Sequence, residues 1–213
     1  MGDQSDMQLD EALRQISDIR QQMARSKVFR GYRSIPIVLS GAMAILAAAF
    51  QTRWVASPET ELGHYLGLWI GVAAISMIVA GAEMYWRSQR VTSERARRQT
   101  FQAVEQFVPF LVVGGLLTLI IYRSAPQAAW MLPGLWSVLY GLGIFASRRL
   151  LPRPVIWVGS YFILCGFGCL LWGQGDHVLS PWQMGVSFGG GQLLGAAILY
   201  WTLERIDVST QDE

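Results

Sequence analysis

The 213-residue sequence contains few charged residues, only two cysteines and only two histidines. Charged side chains make up 15% of the chain, whereas a soluble domain has roughly 25%. Hydrophobic residues make up 52%, and this balance excludes a soluble globule, a disordered chain and a coiled coil. The class that remains is a protein embedded in a membrane.

Six long stretches of the chain are apolar and, apart from Glu83, uncharged. Each is close to the roughly 17 to 25 residues that a helix needs to cross the hydrocarbon layer. A chain in lipid must also satisfy its own backbone hydrogen bonds, which predicts helices. The predicted fold class is therefore all-α, a six-transmembrane-helix bundle. Its spans are residues 35–51, 65–86, 107–122, 129–147, 154–173 and 184–203.

The basic residues between these spans indicate an orientation. Fifteen of the 17 precede the first span, follow the last, or lie in the second and fourth connections, whereas the other connections hold only Arg53 and Arg123. Short loops rich in Lys and Arg stay in the cytoplasm, so both termini are predicted to be cytoplasmic. Orientation and contact with the lipid bilayer explain the arginines, so the net charge of +2 does not point to nucleic acid as a partner. We expect no cleaved leader, since a long and highly charged segment precedes the first span.

Tryptophan placement agrees with the predicted spans. An amphipathic indole ring prefers the membrane interface, and only Trp69 and Trp136 lie deeper than a predicted helix end. The other seven lie near ends: Trp54, Trp86, Trp130, Trp157, Trp172, Trp182 and Trp201.

The segment 1–33, before the first span, predicts an amphipathic cytoplasmic helix. Acidic residues begin this segment and basic residues end it, an order that suits the helix dipole. The apolar stripe is expected to lie on the membrane surface, on the chain's own connection 87–106, or on a protein partner in the cytoplasm or membrane. A short cytoplasmic tail, residues 205–213, follows the last span. The stripe consists of Leu9, Leu13, Ile16, Ile19 and Met23, at helical spacing.

Four segments resemble a family of small, uncharacterised bacterial integral membrane proteins. They are IRQQMARSKVFRGY, VPFLVVGGLLTL, LPGLWSVLYGLGIFASRRLLPR and LSPWQMGVSFGGGQLL. The resemblance implies six helices in a bacterial inner membrane and genes that often lie beside those of winged-helix regulators. It implies no assigned activity and no catalytic residue.

Glu83 is the one charged residue within a predicted span. An intramembrane carboxylate is a functional candidate because its burial is costly. Arg87 follows four residues later, the favourable order for an ion pair on one helix face. We therefore predict a structural ion pair, with a cytoplasm-facing gate or proton site as the alternative.

The two histidines offer a metal-site hypothesis. His64 and His177 lie in connections that the charge rule places on the same outer side, each with an acidic neighbour, Glu61 and Asp176. Imidazoles and carboxylates are suitable ligands for a divalent metal. Polar residues that merely solvate two short loops are the simpler interpretation, and no cofactor is predicted.

Glycines and cysteines within the spans also allow two interpretations. Small residues at four-residue spacing let helix backbones approach closely in lipid, and such packing is predicted at Gly67 with Gly71, Gly185 with Gly189, and Gly191 with Gly195. The run Gly189, Gly190 and Gly191 also weakens a helix, so with Gln192 beside it a hinge or permeation path is the alternative. Cys165 and Cys169 are one turn apart, a poor arrangement for a disulfide, and are predicted to be free thiols. Pro109 and Pro133 are expected in first helical turns, where proline is tolerated.

Two function classes follow from this sequence. The favoured hypothesis is a non-enzymatic membrane protein that binds or regulates a partner, or acts as a sensor, through its cytoplasmic helices. The alternative is a small-molecule or ion transporter or channel, lined by Gln192 with Ser160, Ser187 and Thr118. The substrate, the partner and the oligomeric state are left open.

The basic-residue asymmetry generates a topology prediction. A cysteine introduced at Ser93 should react with a membrane-permeant thiol reagent in intact cells but not with an impermeant one, because the connection is cytoplasmic. The matched control is a cysteine at Ser57, in the first connection, which should react with both. Reaction of the cysteine at position 93 with the impermeant reagent would contradict the predicted topology.

Overall fold

The computed structural model describes residues 34–55, 57–58, 60–90, 94–149 and 153–204. Its secondary structure over these residues is helical, with no strand among them, so the all-α fold class is confirmed. The predicted N-terminal helix and the tail 205–213 lie outside the described residues. This applies to the whole apolar stripe, Leu9, Leu13, Ile16, Ile19 and Met23.

Within the described part of the chain, six helices follow one another. α4 is preceded by a 3₁₀ turn at Pro126–Met131, and α5 by another at Arg153–Val155. Five of the six are long and apolar enough to cross a membrane when these turns are included. The helices are α1, Ser34–Trp54; α2, Leu62–Arg90; α3, Glu94–Ser124; α4, Leu132–Ala146; α5, Ile156–Trp172; and α6, residues 181–204.

α6 differs from the uninterrupted α-helix that the sequence predicts. It is α-helical at Pro181–Met184, π-helical at Gly185–Gly190, α-helical at Gly191–Leu199 and π-helical at Tyr200–Glu204. Its backbone stays right-handed helical at the junctions, with φ and ψ of −61° and −46° at Gly185. Hydropathy does not distinguish the two helical types, because both bury an apolar segment without exposing its backbone.

α2 and α3 are longer than the predicted spans. They have 29 and 31 residues, or about 43 and 46 Å at 1.5 Å per residue, against roughly 30 Å of hydrocarbon. Most of the predicted connection 87–106 is therefore helical. Pro109 lies inside α3 rather than in a first turn, so that expectation is wrong, because α3 begins at Glu94 and not near Phe107.

The helices form a ring in chain order. α1 packs against α2 and α6, α5 against α4 and α6, and α3 against α4, whereas α2 and α3 contact each other only sparsely. α4 and α5 share one of the two most extensive interfaces, the other being that of α1 with α6. The described bundle is thus closed between α1 and α6 and has its weakest seam between α2 and α3.

The outer surface of the bundle is apolar. Leu164 and Leu171 on α5 are 72% and 74% exposed, and Ile78 on α2 is 69% exposed. In water such a surface would be a liability, whereas lipid solvates it. Most of the tryptophans near helix ends are also exposed, as the interface preference predicts. These features are those of a multi-pass membrane protein.

Paired glycines bring α4 and α5 into backbone contact. A Cβ atom built on Gly141 would lie 2.8 Å from the carbonyl oxygen of Gly159, and one built on Gly166 would lie 2.8 Å from that of Gly134. Real Cβ atoms do not approach backbone oxygens this closely. The interface therefore requires hydrogen at these positions, which explains why glycine occurs within these helices despite its low helix propensity.

We expect Gly141→Ala to destabilise the bundle by about 1 to 3 kcal/mol, because the added methyl group overpacks the interface between α4 and α5. The matched control is Gly67→Ala on α2, where a Cβ would meet nothing within 4 Å. The same holds at Gly71, so the predicted close packing of this pair is wrong. This control should keep or slightly raise stability, since alanine favours the helix. Reversible unfolding in detergent measures both, and equal losses would contradict the packing explanation.

Candidate functional site

A buried amide joins three parts of the chain at one end of the bundle. Gln51, in the last turn of α1, is 1% exposed. Its Nε2 atom donates to the carbonyl oxygen of Leu179 at 2.9 Å, and its Oε1 atom accepts from Nε1 of Trp69 at 3.0 Å. Gln51 thus connects α1, α2 and the segment between α5 and α6.

The segment between α5 and α6 folds inward at Leu179. This residue has φ of +51°, a conformation that bulky side chains rarely adopt. Its side chain is 1% exposed and belongs to the same apolar cluster as Val55 and Tyr65. Burial of the side chain and the hydrogen bond from Gln51 together hold the unfavourable backbone angle.

Aromatic rings fill the interior between α3, α4, α5 and α6. Tyr140 lies at the centre, with ring centroids 5.0 Å from Phe107, 4.6 Å from Phe162 and 5.6 Å from Phe188. Most of these pairs have the edge-to-face geometry that aromatic quadrupoles favour. Gln192 Nε2 donates to the Tyr140 hydroxyl at 2.8 Å, so this amide, predicted as a path-lining residue, lies against the aromatic cluster.

The three consecutive glycines of α6 each face a different side chain. A Cβ built on Gly189 would lie 2.6 Å from Cγ1 of Ile45, on Gly190 it would lie 2.5 Å from Oη of Tyr161, and on Gly191 it would lie 2.5 Å from Cζ of Phe162. The run therefore lets α6 approach α1 and α5 at the same level. A hinge role for these glycines stays a prediction.

Other polar side chains in the spans form hydrogen bonds within the protein, some in their own helix and some to a neighbouring helix. Tyr161 donates from its hydroxyl to the Val186 carbonyl at 2.8 Å, within the π-helical segment where the regular α-helical ladder is interrupted. Ser160, Ser187 and Thr118 each donate to the carbonyl four residues earlier. Thr118 also accepts from Nε1 of Trp136 at 2.9 Å. The residues predicted to line a path thus have protein partners.

Glu83 and Arg87 lie one turn apart on the continuous helix α2. Glu83 is half-buried at the end of the apolar part of α2, Leu62–Glu83. The Arg87 side chain lies outside the described part, so the ion pair stays a prediction.

The predicted metal ligands occupy turns and helix starts. Glu61 is half-buried and immediately precedes α2, and His64 is exposed in the first turn of that helix. His177 is exposed in the 3₁₀ turn Gly175–His177. No group of three or more His, Cys, Asp or Glu side chains that could hold a metal occurs among the residues described. The Asp176 side chain lies outside that set, and the four-ligand site stays a prediction. Cys165 and Cys169 are free and half-buried, which confirms the predicted thiols.

Comparisons with protein-family models, curated proteins and solved structures found no match. The resemblance to a family of bacterial membrane proteins therefore stays a prediction. The function of the chain must be inferred from its own residues and their geometry.

Sequence reasoning missed the Gln51 contact. The residue ended the first predicted span and carried no assigned role, although an amide beside a long apolar run is a signal that a buried partner is needed. Trp69 was the other half of that signal, because its indole lies deeper than the interface where tryptophan is usual. The identity of the third partner, a backbone carbonyl at Leu179, has no sequence signature.

We expect Gln51→Leu to destabilise the bundle, because it leaves the Trp69 indole and the Leu179 carbonyl buried without partners, each at a cost of about 1 to 3 kcal/mol. Hydrogen exchange in detergent should rise at residues 175–180. The matched control, Thr52→Val, changes the exposed neighbouring residue and should stay within about 0.5 kcal/mol. Unchanged amide hydrogen exchange and unchanged stability in Gln51→Leu would contradict the structural role of the Gln51 hydrogen bonds.

Proposed function

We propose that this chain is a non-enzymatic membrane protein of the bacterial inner membrane that binds a partner protein on the cytoplasmic side. Six spans with both termini in the cytoplasm are part of this proposal. The binding surface combines the predicted N-terminal helix with the end of the α2–α3 hairpin. A regulatory or sensory role follows if the partner changes activity on binding.

The observation that carries the proposal is the length of the α2–α3 hairpin. The apolar parts of these helices are Leu62–Glu83 and Glu105–Ser124, so residues 84–90 and 94–104 extend beyond them. At 1.5 Å per residue, these extensions reach about 10 and 16 Å past the apolar layer. Five arginines lie in or next to them, which supports a cytoplasmic position. A projecting helical pair offers a surface on which another helix can pack.

The apolar stripe of the N-terminal segment supplies the second part of the surface. Burying a large apolar side chain contributes roughly 1.5 to 3 kcal/mol. Five such residues at helical spacing are enough to hold a docked helix. Because an uncovered stripe of this kind promotes aggregation, a cover is required.

A transporter is the second candidate function. It is favoured by the π-helical segment Gly185–Gly190, since short π-helical insertions occur frequently at functional sites. The aromatic cluster around Tyr140 argues against it, because the rings occupy the interior that a path would use. Partner binding is therefore the better-supported function.

The partner-binding proposal is tested by affinity purification from native membranes and mass spectrometry. Deletion of residues 2–25 should leave a folded bundle and abolish co-purification of one protein. The double variant Leu13→Ser with Ile16→Ser should do the same, because it removes the centre of the stripe. The matched control, Gln21→Ser with Gln22→Ser, changes polar positions and should retain the partner.

Two results would contradict the proposal. If the full-length chain, the deletion variant and the two double variants all co-purify with the same proteins, transport is the favoured function. A deletion variant that loses its native size-exclusion profile would indicate instead that the segment covers its own bundle.

A further inference from the structure

A groove runs between α1 and α2 on the outside of the bundle. It is an open groove with a volume of about 560 Å³. Five of its six lining residues are apolar or aromatic, and the sixth is a cation. The lining consists of Leu46, Ala47, Phe50, Arg53, Trp54 and Leu68.

We propose that this groove binds an anionic phospholipid, with one acyl chain between α1 and α2 and the phosphate at Arg53. The proposal is independent of the partner-binding function. A lipid is the expected occupant because the groove has an apolar part that ends at one positive charge. That sequence of surfaces matches the two parts of a phospholipid.

The apolar part of the groove suits a hydrocarbon chain. Leu46 and Phe50 lie one turn apart on α1, and Leu68 faces them from α2. Leu46 and Phe50 are 56% and 53% exposed, so their surfaces are available to a neighbouring molecule. Ala47, between them in sequence, is small and leaves the depth of the groove open.

The polar end of the groove suits a phosphate. Arg53 lies in the last turn of α1 and is the one Lys or Arg between residues 34 and 83. A guanidinium group offers paired donors that match phosphate oxygens. Trp54 beside it is 74% exposed, as expected for a ring at the headgroup level. The charge therefore lies at the depth where a lipid phosphate lies.

Photolabelling of the full chain in nanodiscs tests this site. The bilayer is phosphatidylcholine with a trace of phosphatidylglycerol or phosphatidylcholine probe, each with the same diazirine-bearing acyl chain. Labelled peptides are identified by mass spectrometry. We expect the phosphatidylglycerol probe to label residues 46–54 and Leu68 about fivefold more than the phosphatidylcholine probe, the effect of one basic residue on an anionic lipid.

Three variants assign the effect. Arg53→Gln should reduce phosphatidylglycerol labelling to the phosphatidylcholine level. Arg123→Gln removes a cation from the end of α3, outside the groove, and should leave the labelling unchanged. Leu46→Trp fills the groove from a lipid-facing position and should lower labelling by both probes.

Several outcomes would overturn the proposal. Equal labelling by the two probes would mean that lipid contacts the groove only as solvent. An unchanged preference in Arg53→Gln would mean that Arg53 does not hold the phosphate. Preferential labelling elsewhere on the chain would place the lipid site outside this groove.

Discussion

The structure depends on helix backbones approaching more closely than a methyl group would allow. In lipid, no hydrophobic force drives helices together, so close contact and dispersion must supply the attraction. Gly141 against Gly159 and Gly134 against Gly166 create this contact between α4 and α5, one of the two most extensive interfaces. The glycine run of α6 makes room instead for side chains of two neighbours, Ile45 of α1 and Tyr161 and Phe162 of α5, which brings α1 and α5 to the same helix.

The second constraint is that polar groups among the spans need partners inside the protein, because hydrocarbon offers none. The two deep indoles each donate across a helix interface, from Trp69 to Gln51 and from Trp136 to Thr118. The amide of Gln192 bonds to Tyr140 in the same way. Each of these hydrogen bonds joins one donor atom to one acceptor atom. They therefore fix how two neighbouring helices are rotated relative to each other, which glycine contacts alone do not.

The all-α fold could be predicted from the sequence because burial in hydrocarbon demands long apolar helices. The ends of the helices could not be predicted, since charged residues mark the edge of the hydrocarbon layer and not the end of a helix. α3, for example, begins at Glu94, several turns before Phe107. Over a segment as short as Gly185–Gly190, π- and α-helical structures have nearly the same apolar pattern, so the irregularity of α6 was not predictable. The hydrogen bonds of Gln51 join residues that are distant in sequence, and residue spacing carries no information about such pairs.

The Gln51 hydrogen bonds lie at the end of α2 that is packed into the bundle. The buried residues of α2 lie in its first two turns, at Leu62, Tyr65, Leu66 and Trp69. Beyond Gly71 its described side chains are exposed or half-buried, and its contact with α3 is sparse. A long helix that is anchored at one end takes its direction from that anchor. The hydrogen bond between Trp69 and Gln51 therefore helps to set the position of the opposite end, where the proposed partner binds.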